Sequence, residues 1–195
     1  MLSDSRAANN HKSKRLIQDS LFDLDVEPIP EGTGYRGSVA CQAAGISYRQ
    51  LDYWARTGLI EPSIRNAAGS GSLRLYSFKD CLVLKVIKRL LDTGVSLSNI
   101  RLAIDHLRAQ GVEDLARLTL ISDGASVYEC TSDDEVIDLV RGGQGVFGIA
   151  VGSVLREVEG ALEEFPAEYL DGRLVLPENM IDELAQRRSQ REQSA

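Results

Sequence analysis

The sequence predicts a mainly α chain with small β elements, arranged as two units, and three observations predict it. Two short helical runs, residues 38–45 and 46–59, meet at Gly45. Two strand-like runs joined by a small, glycine-bearing loop come next, at residues 60–65 and 73–76. Beyond Gln110 the helical period gives way to alternation around Asp123-Gly124, then returns. Together these are the parts of an N-terminal winged helix-turn-helix domain followed by a small α+β domain.

The first 33 residues read as a disordered tail, polar and carrying Asp23, Asp25, Glu27, Glu31, Pro28 and Pro30. One apolar island, residues 16–24, interrupts them. Within it Gln18-Asp-Ser-Leu-Phe22 is similar to the short bacterial peptide that binds the replication sliding clamp. Docking of this island on the chain's own body is the competing reading, and a plain tail is the third.

Residues 38–44 are small and form a helix that Gly45 ends. Ser47 and Gln50 then stand at capping-box spacing, Ile46 and Leu51 at the two positions of a hydrophobic staple, and Gly58 at the left-handed stop. The 3.6-residue period turns Leu51, Trp54 and Ala55 inward. It leaves Tyr48, Arg49, Asp52, Tyr53 and Arg56 outward or at the edge. The second helix of such a pair is the one that lies in a major groove, and residues 60–76 form the wing beside it. Ser77 with Asp80 starts a strongly apolar helix that Gly94 closes. Ser96 starts another, with Ile100, Ala103, Ile104 and Leu107 at helical spacing, closed by Gly111.

The α+β unit, residues 112–188, opens with a hairpin over residues 118–130. A helix capped by Ser132 or Asp133 runs to Arg141, and glycine turns then flank a short strand before Ile149. A helix over residues 152–164 carries an apolar stripe of Val154, Leu155, Val158, Ala161, Leu162 and Phe165. That stripe either contacts a second copy of the chain or packs within its own domain. The other candidate for a dimer contact is the hairpin edge. Residues 173–176 form a further strand, Pro177 opens a last helix, and residues 189–195 are a disordered tail. Gly143-Gln-Gly-Val-Phe-Gly148 has the dinucleotide pattern, but a helix precedes it where the fingerprint needs a strand. Lining a pocket for a different effector is the role left to it.

Three separated blocks now resemble one family, the MerR family of bacterial transcription regulators. They are Gly45-Ile-Ser-Tyr-Arg-Gln-Leu-Asp-Tyr-Trp-Ala-Arg-Thr-Gly-Leu-Ile60, Arg74-Leu-Tyr-Ser-Phe-Lys-Asp80 and Leu90-Leu-Asp-Thr-Gly-Val-Ser-Leu-Ser-Asn-Ile100. They lie in the family's order and spacing over residues 34–111. The likeness is to an actinobacterial subgroup with a non-standard C-terminal half, because nothing past Gln110 sustains a long coiled coil. The resemblance implies a homodimer that binds and distorts near-palindromic promoter DNA, with RNA polymerase and a small-molecule effector as the further partners of such a regulator. It assigns Arg49, Tyr53, Arg56, Arg74 and Tyr76 to DNA, mostly to the backbone; Tyr48, Arg36 and Arg65 join them as neighbours of that face. Asp52 departs from the family, where an arginine is common. Its expected roles are to hold Arg49 or Arg56, or to accept from a cytosine amine.

Charge agrees with this assignment. The chain carries a net −7, yet residues 34–110 hold 11 Lys and Arg against 5 Asp and Glu, a net of +6 inside an acidic protein. No apolar run approaches a membrane span and no signal peptide is visible, so a cytoplasmic, nucleoid-associated protein is expected. Cys41, Cys81 and Cys130 are scattered, with only His11 and His106 to join them, so neither a metal site nor a cofactor is expected. Single-thiol sensing at Cys130 stays a minor reading. No paired carboxylates or nucleophile–base set point to an enzyme. The rival function is an architectural or accessory DNA-bending factor, excisionase-like or clamp-associated, without promoter regulation.

Overall fold

A computed structural model describes residues 32–66, 73–124, 126–142, 147–177 and Met180. Four helices of its N-terminal part follow from local signals. α1 (Gly37–Ala44) ends where Gly45 turns left-handed, at φ 71°. α2 (Tyr48–Arg56) starts on a reciprocal box: Gln50 N donates to Ser47 Oγ at 3.2 Å, and Ser47 N to Gln50 Oε1 at 2.9 Å. α3 (Phe78–Asp92) repeats the device with Ser77 and Asp80, and Ser96 caps α4 (Leu97–Ala109). Asp80 is buried at the positive end of α3, where its Oδ2 also accepts from Ser63 N at 2.8 Å and Ser63 Oγ at 2.7 Å. That carboxylate therefore fixes the chain leaving α2 to the start of α3.

The strands depend on distant partners. β1 (Thr33–Arg36) runs directly into α1 and pairs antiparallel with β2 (Leu75–Tyr76), Tyr35 opposite Tyr76. Thr33, assigned to the tail by composition, is buried within β1. The strand expected over residues 60–65 reduces to one bridge, Arg65 opposite Leu75. The backbone donors upstream go elsewhere: Ile60 N turns back toward Trp54 O, Pro62 has no N–H, and Ser63 N binds Asp80. Residues 67–72, the expected tip of the wing, lie outside the described residues, as do residues 1–31 with the Gln18–Phe22 peptide.

After α5 (Val112–Ala116), β3 (Thr119–Ser122) and β4 (Val127–Cys130) form the expected hairpin. Its turn is four residues long: Gly124 takes φ 88°, and Ser126 N reaches Asp123 Oδ1 at 2.6 Å. α6 (Asp133–Arg141) is capped by Ser132, and β5 (Phe147–Ala150) joins the other side of β3 to give the antiparallel order β4-β3-β5. The last two residues of the glycine pattern, Phe147 and Gly148, thus lie in a strand rather than at the start of a helix, and residues 143–146 are outside the described set. β6 (Ala167–Tyr169) and β7 (Leu174–Val175) complete a second sheet, ordered β2-β1-β6-β7. Of the helix expected from Pro177 only Pro177 itself and Met180 are described.

α7 (Val151–Leu162) occupies the centre. Val154, Leu155 and Val158 are 0% exposed and lie against α3, α1 and α5. The stripe proposed as a dimer contact is therefore enclosed by its own chain, and only Ala161 and Phe165, toward its end, stay half-buried. Apolar area on α3 and α1 reaches it without a second copy. The close approach needs Gly152, because a Cβ there would stand 2.4 Å from the Ala116 carbonyl oxygen. One buried cluster consequently runs from Ala40 and Trp54 through Leu84 to Leu115, Leu120 and Val154, continuous across residue 111. Among the described residues no helix is long and apolar enough to cross a membrane.

Candidate nucleic-acid interface

Burying Leu51 and Trp54, at 1% and 2% exposure, sets the rotation of α2 and decides which side chains leave the body. Tyr48 and Tyr53 are 62% and 49% exposed, and Arg49 and Arg56 stand beside them in solvent. Arg49 makes no hydrogen bond or ion pair with the described residues. Tyr48 lies over the start of α1, where a Cβ on Gly37 would come within 3.2 Å of its hydroxyl. The far end of α2 is tied down by Arg101 of α4, whose Nη1 donates to Thr57 O at 2.9 Å. The helix is thus anchored at its rear and at its exit, with a Tyr-Arg face left open.

Two carboxylates organise the other predicted arginines. Asp52 accepts from Arg56 Nε at 2.9 Å and from Arg74 Nη1 at 3.1 Å. Of the two arginines expected to meet Asp52, Arg56 does and Arg49 does not, and the second partner is Arg74 across the gap to β2. Glu168 of β6 accepts from Arg36 Nε at 2.7 Å and from Arg65 Nη2 at 2.9 Å. Burial pushes the Glu168 carboxyl up, and the bonds and charges of Arg36 and Arg65 more than reverse this, holding it below the ordinary glutamate value. Nothing near Glu168 in the chain signalled this role; its partner Arg36 is 132 residues away.

One assigned contact is corrected. Tyr76 is 0% exposed, and its hydroxyl finds no hydrogen-bond partner among the described residues. Burial pushes its pKa up to about 12. In this conformation it packs beneath the face and cannot touch a phosphate; the alternation Arg74-out, Leu75-in is broken because Leu75 and Tyr76, which point to opposite faces of β2, are both buried. The thiols are likewise interior. Cys41, Cys81 and Cys130 are buried and free, and burial raises all three, which suppresses the thiolate that sensing needs.

Residues 35–107 match the family described as MerR HTH family regulatory protein. HTH-type transcriptional regulators of Mycobacterium tuberculosis and Mycobacterium bovis are each 62% identical over 178 residues, covering 90% of this chain and 77% of theirs. The chain belongs to the MerR family. It is a transcriptional regulator of the MerR helix-turn-helix type, and the resemblance read from its three blocks is confirmed. The HTH-type transcriptional regulator HmrR of Sinorhizobium medicae is 31% identical over 83 residues, 42% of this chain and 54% of that protein. In this MerR-family regulator α2, Asp52, Arg74 and Arg36 lie inside the matched domain, whereas Glu168 lies far outside it.

A groove of about 850 Å³ opens between α4, β4 and α6, lined among others by Leu102, His106, Tyr128, Glu129 and Leu139. Of the glycine loop expected to line an effector pocket, the described residues Phe147 and Gly148 are not among its lining residues, and residues 143–146 lie outside the described set.

Proposed function

We propose that this regulator binds near-palindromic promoter DNA as a homodimer, each protomer laying α2 in a major groove. Tyr48, Arg49 and Arg56 meet base edges or flanking phosphates there, Tyr53 and Arg74 brace the backbone, and the arm between Arg65 and Leu75 acts as a wing in the adjacent minor groove. The observation that carries this reading is the open Tyr48-Arg49-Tyr53-Arg56 face on a helix whose opposite face is locked by Leu51 and Trp54. A single α2 reads one half-site, so a two-fold mate is required for a palindrome. With the α7 stripe enclosed, the hairpin edge is the sequence-predicted contact that remains. β4 ends its sheet, and Ile137 and Val140 of α6 are 43% and 56% exposed beside it.

Selection of duplexes from a random-sequence pool, followed by chromatin immunoprecipitation, tests the reading. Two inverted half-sites, centred on promoter spacers, are expected, with half-site centres separated by roughly one helical turn or a multiple of it. Occupancy that follows replication or recombination sites instead would transfer the protein to the architectural class. On the selected duplex Arg49→Ala is expected to lose about 1–3 kcal/mol if its contact is a bidentate base pair. Unchanged affinity removes Arg49 from the reading.

A further inference from the structure

We propose that Glu168 is a positioning residue of the DNA-binding surface, supplied by the C-terminal segment, which holds Arg36 so that its guanidinium faces the phosphate backbone. The proposal rests on the functional reading above and adds a residue that the matched domain, residues 35–107, does not contain.

The geometry divides the two arginines into different roles. Arg65 is engaged at all three nitrogens: Nε donates to Leu73 O at 2.9 Å, Nη1 to Leu170 O at 3.3 Å and Nη2 to Glu168 Oε1 at 2.9 Å. It staples the base of the arm to the turn between β6 and β7. Arg36 gives Glu168 only its Nε, at 2.7 Å, and its side chain remains 53% exposed. A guanidinium held by Nε keeps both terminal amino groups, four N–H bonds in a fixed fork, for an incoming oxyanion. The carboxylate that holds it is 6% exposed, so the duplex meets the cation and not the anion behind it.

The strand pairing explains why Glu168 reaches this place. β6 hydrogen-bonds along β1, with Gly34 opposite Glu168, and β1 delivers Arg36 to the start of α1. The side chain of Glu168 is therefore directed by the same sheet that fixes the entry of the helix pair. Asp52 uses the same grip on Arg56, through Nε at 2.9 Å, from within α2. Arg36 is next in the chain to Gly37, over which Tyr48 of α2 lies, and the carboxylate that holds it comes from outside the helix-turn-helix.

The test uses the full-length protein and a duplex that the wild type selects from a random-sequence pool. Glu168→Gln keeps shape and one acceptor but releases the charge-assisted grip. Its affinity is expected to fall roughly tenfold, with the slope of log K against log salt flattened by about one phosphate contact. Arg36→Ala should do the same, and the double variant should lose no more than either alone. Glu168→Asp, which shortens the reach, should not restore binding. Arg36→Lys keeps the charge at a half-exposed position that tolerates the change, and is expected to bind several-fold more weakly because an ammonium offers no Nε tether. Arg36→Lys therefore decides the matter if Glu168→Gln fails to fold. Wild-type affinity in either variant, tighter binding by Glu168→Gln, or additive losses at an unchanged salt slope would each overturn the proposal. Failure of the wild type to enrich any duplex would instead overturn the functional reading beneath it.

Discussion

Asp52 and Glu168 each hold two arginines, but they work in different surroundings. Asp52 sits on α2 with its side chain 39% exposed, and one of its partners, Arg56, is a single helical turn away. Glu168 sits on β6 with its side chain 6% exposed, and its partners come from β1 and from the base of the arm. Water screens the first clamp and competes for both of its arginines, so little stability rides on it. The second has given up most of its hydration, and the two cations are what compensate. A local, wet clamp can orient side chains cheaply; a remote, dry one ties two parts of the chain to each other.

The largest expected effect comes from emptying the dry clamp. Glu168→Ala leaves Arg65 with an unmet charge and should destabilise by on the order of 2–4 kcal/mol in urea unfolding, somewhat below a fully enclosed pair because Arg36 is half in water. Its folded carboxyl is held below the ordinary value, so its contribution is present above the unfolded glutamate range, near about pH 4.3, and is lost as pH falls through the folded value. A stability profile of the Glu168 variant should accordingly show a weaker decline on its acid side than the wild type. Equal acid limbs would mean that the clamp is not linked to folding.

A second substitution asks whether the packing of α7 against α5, within the C-terminal half, is as tight as the clamp implies. Gly152→Ala places a Cβ 2.4 Å from the Ala116 carbonyl oxygen, a backbone atom that cannot rotate away. A loss of about 1–3 kcal/mol, read by thermal unfolding, is expected from the forced shift of α7 against α5. An unperturbed midpoint would show that α7 can slide without cost. The smallest effect belongs to the wet clamp. Asp52→Ala should change stability by about 0–1 kcal/mol, while Arg74 and Arg56, freed from it, alter DNA binding far more than folding. A stability loss matching that of Glu168→Ala would erase the contrast between the clamps.

The parts legible in the sequence are those decided within a few residues. The boxes at Ser47–Gln50 and Ser77–Asp80, the left-handed glycines 45, 58 and 94, and the Asp123-Gly124 turn all satisfy their own backbone groups locally. The same holds for the inward set of Leu51 and Trp54, which places Arg49 outside by period alone. β1, by contrast, is Thr-Gly-Tyr-Arg, four residues with no alternation to read, and it is a strand because β2 and β6 lie on either side of it. The expected strand over residues 60–65 failed for the complementary reason, since its donors were claimed by α2 and Asp80.

Local hydrogen bonding and the 3.6-residue period thus sufficed to determine the helix pair and its open arginine face, and the likeness of three sequence blocks pointed to the family. Only the tertiary structure decided that α7 is interior, that Tyr76 lies beneath the face, and that Glu168 returns from the C-terminal segment to hold Arg36 and Arg65. Those outcomes depend on which surfaces meet between segments far apart in the chain, 132 residues apart for Glu168 and Arg36, and no short-range pattern encodes the distance between two such side chains.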